Sequence, residues 1–193
     1  MKPQKVFWIK NMVCKRCLKV IKQELEEIHV DILSLELGKL TVHFDTDSGK
    51  EIDKKITEIL HTNGFEITKS EDEMLVERIK LILIELIMEL PMDIRINTSD
   101  HLAALLHRDY KYLSRVFSKN EDTTIEKYFI KLKVEKAKEL IQLQQHTFSD
   151  IAYLLDYSSV NHLSRQFKNI TGLSMTDYKN SQIWERNFLD EII

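Results

Sequence analysis

The chain has 193 residues and a mass of 22.9 kDa, which is room for two small domains that each bury a core. With 43% hydrophobic and 31% charged residues it reads as globular rather than disordered, and the apolar run 81–84 in its strongest stretch is far short of a membrane span. The formal charge of −3 speaks weakly against nucleic-acid binding, but it hides an asymmetry: residues 107–178 hold eleven Lys/Arg against nine Asp/Glu, and the rest is acidic. The opening MKPQKVFWIK has no apolar signal core and no small-residue cleavage site. Two cysteines, Cys14 and Cys17, are too few and too close for a disulfide framework, so a reducing cytoplasm is the expected setting.

Residues 5–9 predict a short strand. Residues 17–28 predict a helix with Leu18, Ile21, Leu25 and Ile28 on one face. Residues 30–37 alternate, with Leu33, Leu35 and Leu37 on one side, and Gly38-Lys39 supplies a hairpin turn. Leu40, Val42 and Phe44 alternate in the partner strand. A second helix with Ile52, Ile56, Ile59 and Leu60 closes on Asn63-Gly64 as a left-handed cap, and residues 65–68 predict a last strand. The order βαββαβ is that of a ferredoxin-like split sandwich. The polar stretch 69–73 reads as the connection. An amphipathic helix over 73–90 follows and stops before Pro91. Everything from Asn97 onward looks helical, with helix starts at Asn97 or Thr98, at Thr123 with Glu126, and at Thr147 with Asp150. The tail, with Trp184, Phe188, Leu189, Ile192 and Ile193, predicts one more amphipathic helix. The expected organisation is an α+β domain over 1–69 and an all-α domain over 70–193.

The helical part contains a repeat. Leu113-Ser114-Arg115-Val116-Phe117 returns fifty residues later as Leu163-Ser164-Arg165-Gln166-Phe167, and Tyr128 returns as Tyr178. Each copy follows a short apolar helix containing alanine, which permits close helix crossing. A short helix, a tight turn and a second helix make a helix-turn-helix. Leu113/Phe117 and Leu163/Phe167 anchor the second helices, which leaves Lys111, Ser114, Arg115 and Ser118 outward in one copy and Asn161, Ser164, Arg165 and Lys168 outward in the other. Ile125, Tyr128, Phe129, Leu132, Leu140 and Ile141 describe a connecting helix of roughly 30 Å, close to the separation of about 34 Å between successive major-groove faces.

Residues 97–179 resemble the DNA-binding domain of the AraC/XylS transcription regulators, through LAALLHRDYKYLSRVF, TTIEKYFIKLKVEKAKELI and SDIAYLLDYSSVNHLSRQFKNITGLSMTDYK. Asp156 stands where that family usually has glycine, and Met175 where it often has proline. The resemblance implies a double helix-turn-helix that reads double-stranded promoter DNA. It places Lys111, Ser114, Arg115, Asn161, Ser164 and Arg165 at base edges, and Lys119 and Lys168 at phosphates.

Met12-Val13-Cys14-Lys15-Arg16-Cys17 falls between the first strand and the first helix. Two thiols three positions apart at a helix start converge on one ion or form a redox dithiol, and the helix dipole with Lys15 and Arg16 favours thiolates. Thiolates select soft ions, above all Cu(I), with Zn(II) as a further candidate. Residues 3–68 resemble the heavy-metal-associated domain of copper chaperones and metal-pumping ATPases. Met12, Cys14 and Cys17 match its M-x-C-x-x-C, and Asn63-Gly64-Phe65 resembles the loop packed near its site. Asn11 replaces that family's usual glycine, and Lys15 and Arg16 its usual small residues. The resemblance implies Cys14 and Cys17 as metal ligands and Met12 as a core support.

These residues together predict a non-enzymatic, DNA-binding transcription regulator of the cytoplasm that responds to a soft metal, with no membrane partner. Metal coupling could run through domain docking or through a homodimer in which two cysteine pairs share one ion. Two alternatives stay open: a metal-independent regulator whose front domain pairs subunits or binds a partner, and a metal carrier or buffer.

Overall fold

The computed structural model describes residues 3–43, 49–92, 97–181 and 186. The chain forms two compact units, Met1–Leu81 and Ile82–Ile193. Phe44 and the tail helix predicted around Trp184 to Ile193 lie outside the described residues.

In the first unit, strand β1 (Gln4–Lys10) is followed by helix α1 (Lys15–Glu27), strands β2 (Ile32–Glu36) and β3 (Lys39–His43), helix α2 (Gly49–Thr62) and the two-residue strand β4 (Glu66–Ile67). The strands form one sheet in the order β2-β3-β1-β4 with every neighbouring pair antiparallel. Phe7 and Ile9 of β1 and Leu40 and Val42 of β3 face the same core as Ile21 and Leu25 of α1 and Ile56 and Leu60 of α2. The alternation of the strands and the 3.6-residue stripes of the helices therefore meet in a single layer interface.

Two local readings of this unit are corrected. The predicted face Leu33, Leu35, Leu37 is broken by a bulge. Ile32 pairs with Val42 but Ser34 pairs with Thr41, so β2 carries one residue more than β3 at that point. The extra residue reverses the alternation. Ile32, Leu35 and Leu37 pack on the core while Leu33 is 41% exposed. The hairpin turn is Leu37-Gly38 rather than Gly38-Lys39, because Glu36 already pairs with Lys39. Gly38 sits at φ +75°, and a Cβ there would stand 3.0 Å from Leu81 Cδ1.

The polar stretch read as a connection is taken up by the start of helix α3 (Glu71–Met88). Ser70 Oγ accepts the Glu73 N–H, and the Glu73 carboxylate accepts the Lys69 N–H at 2.9 Å. That is a reciprocal cap, which starts the helix where the sequence looked loose.

The second unit continues with α4 (Thr98–Leu106), α5 (Tyr110–Glu121), α6 (Ile125–Leu143), α7 (Phe148–Leu154), α8 (Val160–Thr171) and α9 (Met175–Ser181). Thr147 and Asp150 form the expected capping box at α7. At α6 the cap is Thr124, whose hydroxyl accepts the Lys127 N–H, and not Thr123. No helix among the described residues is long and apolar enough to cross a membrane.

Gly38 supplies a clean test of the hairpin. Gly38→Ala must adopt a left-handed backbone and press on Leu81, so it is expected to lower stability by about 1 kcal/mol. Chemical denaturation of the full chain reads this as a fall in midpoint at unchanged slope.

Candidate nucleic-acid interface and cysteine site

The fifty-residue repeat is repeated in the backbone. Helix α5 over 110–121 and helix α8 over 160–171 start and stop in register. Asp109 caps the first by accepting the Lys111 N–H, and Ser159 caps the second by accepting the His162 N–H. Asp122 and Gly172 end them in the left-handed region. The next helices, α6 and α9, start at Ile125 and Met175, again fifty apart. Met175 in place of a proline therefore leaves the start of α9 unmoved. Ser174 Oγ accepts the Asp177 N–H at 3.0 Å there and donates to its carboxylate at 2.6 Å.

The two copies differ in the turn before the second helix. His107 follows α4 with φ +51°, and Asp156 follows α7 with φ +53°. Both are left-handed positions, which accounts for a glycine preference at residue 156 and for its replacement by aspartate, among the residues that best tolerate this region. From the left-handed residue to the next helix the second copy is one residue longer. Tyr157 N–H closes the second turn by donating to Ala152 O at 2.9 Å.

Each second helix is seated on the helix that follows it by an aromatic pair. Phe117 meets Tyr128 at 5.6 Å between ring centres, and Phe167 meets Tyr178 at 5.4 Å. Both spacings and tilted geometries are favourable for rings. Leu113, Phe117, Leu163 and Phe167 are buried as their spacing predicted. The opposite faces are then set by helical geometry. Lys111, Arg115 and Lys119 are exposed on α5, with Ser114 and Ser118 half-buried beside them. On α8, Asn161, Arg165 and Lys168 are exposed and Ser164 is half-buried. Helix α8 contains no acidic residue and α5 only Glu121, at its end. The modest positive excess of the segment is thus concentrated on two helix faces. Arg115 also has a neighbour the motif did not reveal: its guanidinium lies 5.5 Å from the centre of the exposed Tyr112 ring, one helical turn earlier, which limits its rotamers.

Between the copies, α6 has 19 residues, or about 28 Å. Helices α5, α7, α8 and α9 all pack on it. Lys133 on α6 lies between the Phe129 and Tyr157 rings at 5.0 and 5.1 Å. Burial holds its amine below the ordinary lysine value, and the Asp156 carboxylate opposes that shift. Burial also raises the Tyr157 hydroxyl, which donates to Gln166 Oε1 at 2.7 Å.

In the first unit, Cys14 is the N-cap of α1 and Cys17 lies in its first turn. Their sulfurs are 3.2 Å apart and half-buried. Two metal–sulfur bonds of about 2.3 Å put their sulfurs about 3.8 Å apart at a tetrahedral angle and about 4.6 Å apart in a line, so a pair at 3.2 Å has to open to share one ion; sulfur donors are of the soft kind that selects Cu(I). Burial raises the Cys14 thiol, but hydrogen bonds from the Cys17 and Arg16 N–H groups and from the Cys17 side chain, with the Arg16 charge, bring it below its ordinary value. Burial and the bond to Cys14 push Cys17 up. The two thiols are thus pushed in opposite directions, Cys14 down and Cys17 up, across a sulfur–sulfur contact in which either can donate. Met12 is buried in the core. Asn11 has φ +66°, the conformation a glycine there would adopt freely and asparagine tolerates. Among the described residues no group of three or more His, Cys, Asp or Glu is placed to hold a metal.

Residues 102–181 match the family described as the helix-turn-helix domain. A stretch of 108 residues is 27% identical to the probable transcriptional regulator LumQ of Photobacterium leiognathi, covering 56% of this chain and 43% of that protein. The chain thus aligns with less than half the length of that regulator. Among solved structures, the C-terminal domain of AraT, a response regulator from Geobacillus stearothermophilus, is similar with a TM-score of 0.51 and 21% identity, over 62% of this chain and 92% of that one. That likeness establishes the helical fold.

The sulfur asymmetry is directly measurable. With Cys14 lowered and Cys17 raised, alkylation of the reduced protein at mildly alkaline pH is expected to label Cys14 first. Peptide mapping across pH should place its rate midpoint below that of Cys17. Equal midpoints would contradict the asymmetry of the two thiols.

Proposed function

We propose that this protein is a sequence-specific, DNA-binding transcription regulator of AraC/XylS type, acting in the cytoplasm and without catalysis. The observation that carries the reading is the duplication itself: two helices of identical length, each capped by a side chain at its start and a left-handed residue at its end, each seated by a Phe–Tyr pair and each presenting basic and amide side chains outward. Helix α6 has 19 residues and is about 28 Å long, a length of the order of one turn of duplex DNA, and the reading takes it as the spacer between them. Arg115 and Arg165 are assigned to guanine edges, where an arginine donates two parallel hydrogen bonds. Lys111, Ser114, Asn161 and Ser164 are assigned to neighbouring base edges, with Ser118 at the margin of the same face. Lys119 and Lys168 are assigned to phosphates, which set affinity and register rather than sequence.

For the front unit we propose a ferredoxin-like domain of heavy-metal-associated type that binds a soft ion, Cu(I) before Zn(II), through Cys14 and Cys17. The sheet order β2-β3-β1-β4 with both helices on one core and the lowered Cys14 thiol at the start of α1 support it. Ion occupancy then changes operator affinity, through docking of the two units or through a homodimer sharing one ion. Coupling of this kind is reciprocal: an ion that tightens DNA binding is itself bound more tightly on DNA.

Selection of duplexes from a random pool at defined salt, with and without Cu(I), supplies the operator for both tests. On that operator Arg115→Ala and Arg165→Ala should each lose about 1–3 kcal/mol and relax preference at separate base positions. Lys119→Ala and Lys168→Ala should weaken all sequences alike and reduce the salt slope by about one. Sequence preference that survives both arginine changes would contradict the assignment. For the metal, Cu(I) should change wild-type operator affinity and leave a Cys14→Ser/Cys17→Ser variant unmoved. Equal affinities throughout would end the sensor reading and spare the DNA-binding one.

A further inference from the structure

The face of α3 that packs in the first unit carries a group its apolar stripe does not explain. Glu77 is only 7% exposed. Its Oε1 accepts from Lys80 Nζ at 3.3 Å, and its Oε2 accepts the backbone N–H of Asn11 at 3.2 Å. A carboxylate is costly to bury unless its oxygens are matched, and here one of them is matched by a single peptide of the cysteine loop. Glu73, one turn earlier on α3, pairs with Lys10 at 3.0 Å. Two consecutive residues where β1 ends are thus held by two carboxylates one helical turn apart.

What they hold is the entrance to the sulfur site. Asn11 is in the left-handed region, a conformation that fixes the direction in which the chain leaves β1. Met12, next in the chain, is buried in the core. After Val13 comes Cys14, the N-cap of α1, whose carbonyl accepts the Cys17 N–H at 3.1 Å. The loop is therefore pinned at Asn11 from α3 and at Met12 from the core before it presents either sulfur.

We propose that Glu77 is a positioning residue for the Cys14–Cys17 site, holding the Asn11 peptide so that the loop brings the two sulfurs together. The assignment concerns the thiol pair as such; only its consequence for metal affinity rests on the soft-ion reading above. Because α3 runs unbroken from Glu71 to Met88, past the end of the first unit at Leu81, the same contact ties the loop's conformation to the helix that leads into the second unit.

The test compares full-length Glu77→Gln, Glu77→Ala and Glu77→Leu. Glutamine keeps an oxygen that can accept the Asn11 N–H, whereas alanine and leucine remove it. Two quantities are read: the equilibrium between the Cys14–Cys17 dithiol and its disulfide in a glutathione redox buffer, which reports how closely the loop holds the two sulfurs, and Cu(I) affinity by competition with a chromophoric chelator. Glu77→Gln should retain both. In Glu77→Ala and Glu77→Leu the disulfide fraction should fall at the same glutathione ratio. Cu(I) affinity should fall roughly ten- to a hundredfold, the usual loss when a group that orients a metal ligand is removed. A disulfide equilibrium unchanged in both overturns the proposal, as does an equal change in Glu77→Gln, which would make the charge and not the contact responsible. Wild-type protein gives a reading that needs no folded variant: alkylating Cys14 should move the amide resonance of Asn11, and an unmoved resonance counts against the assignment. A wild type that binds no Cu(I) removes the metal reading and leaves the disulfide equilibrium to decide this one.

Discussion

Helix α6 is stable only because other helices cover it. Ten of its residues are buried, and they lie around the helix rather than along one stripe: Ile125, Tyr128, Phe129, Leu132, Val134, Glu135, Ala137, Lys138, Leu140 and Ile141. A helix buried on every side needs partners on every side, and α5, α7, α8 and α9 supply them. Even its charges obey the constraint. Glu135 and Lys138, one turn apart and both buried, pair at 2.6 Å. Removing either would leave the other charge in the interior, which is far more damaging than losing a surface pair. The outward faces of α5 and α8 are consequences of this arrangement, since each is whatever remains after its Leu and Phe have been given to the common core.

That division of labour explains how a chain of net negative charge can present basic surfaces. Acidic residues of the second unit serve caps and turns: Asp109 caps α5, Asp150 completes the capping box of α7, and Asp177 bonds Ser174 at α9. Glu126 accepts from the Tyr110 hydroxyl. Burial raises both Tyr110 and Glu126, but the bonds Glu126 accepts bring its carboxyl below the usual value, while the same bond pushes Tyr110 further up. With its carboxylates so engaged, the second unit leaves α8 free of acidic side chains and α5 nearly so. Local placement, rather than total charge, governs what such a surface attracts.

The repeat was the most legible part of the sequence because side-chain spacing and backbone geometry carry the same information there. An offset of fifty residues in Leu-Ser-Arg predicts an offset of fifty in helix, cap and ring pair, and it does so to the residue. The front unit was legible as an order of elements but not in detail. The alternation Leu33, Leu35, Leu37 was readable only on the premise that strand pairing is unbroken, and one bulged residue in β2 reverses it. Thr123 and Thr124 are chemically equivalent candidates for a cap, and only the exit from the left-handed Asp122 decides between them. Glu77 was invisible for a different reason. A carboxylate on an amphipathic helix is expected in water, and its partner, a backbone N–H sixty-six residues away, leaves no mark in the local pattern. Long-range polar contacts of this kind are where periodicity arguments stop.

The spacing of the two reading helices is the claim from which the functional account follows, and footprinting measures it most directly. Hydroxyl-radical footprinting of the full-length protein on its selected operator should show two protected patches on one face of the duplex. Their centres should lie about one helical turn, 10–10.5 base pairs, apart, with Arg115→Ala and Arg165→Ala each weakening a different patch. A single patch, or two patches weakened together by either change, would contradict the account.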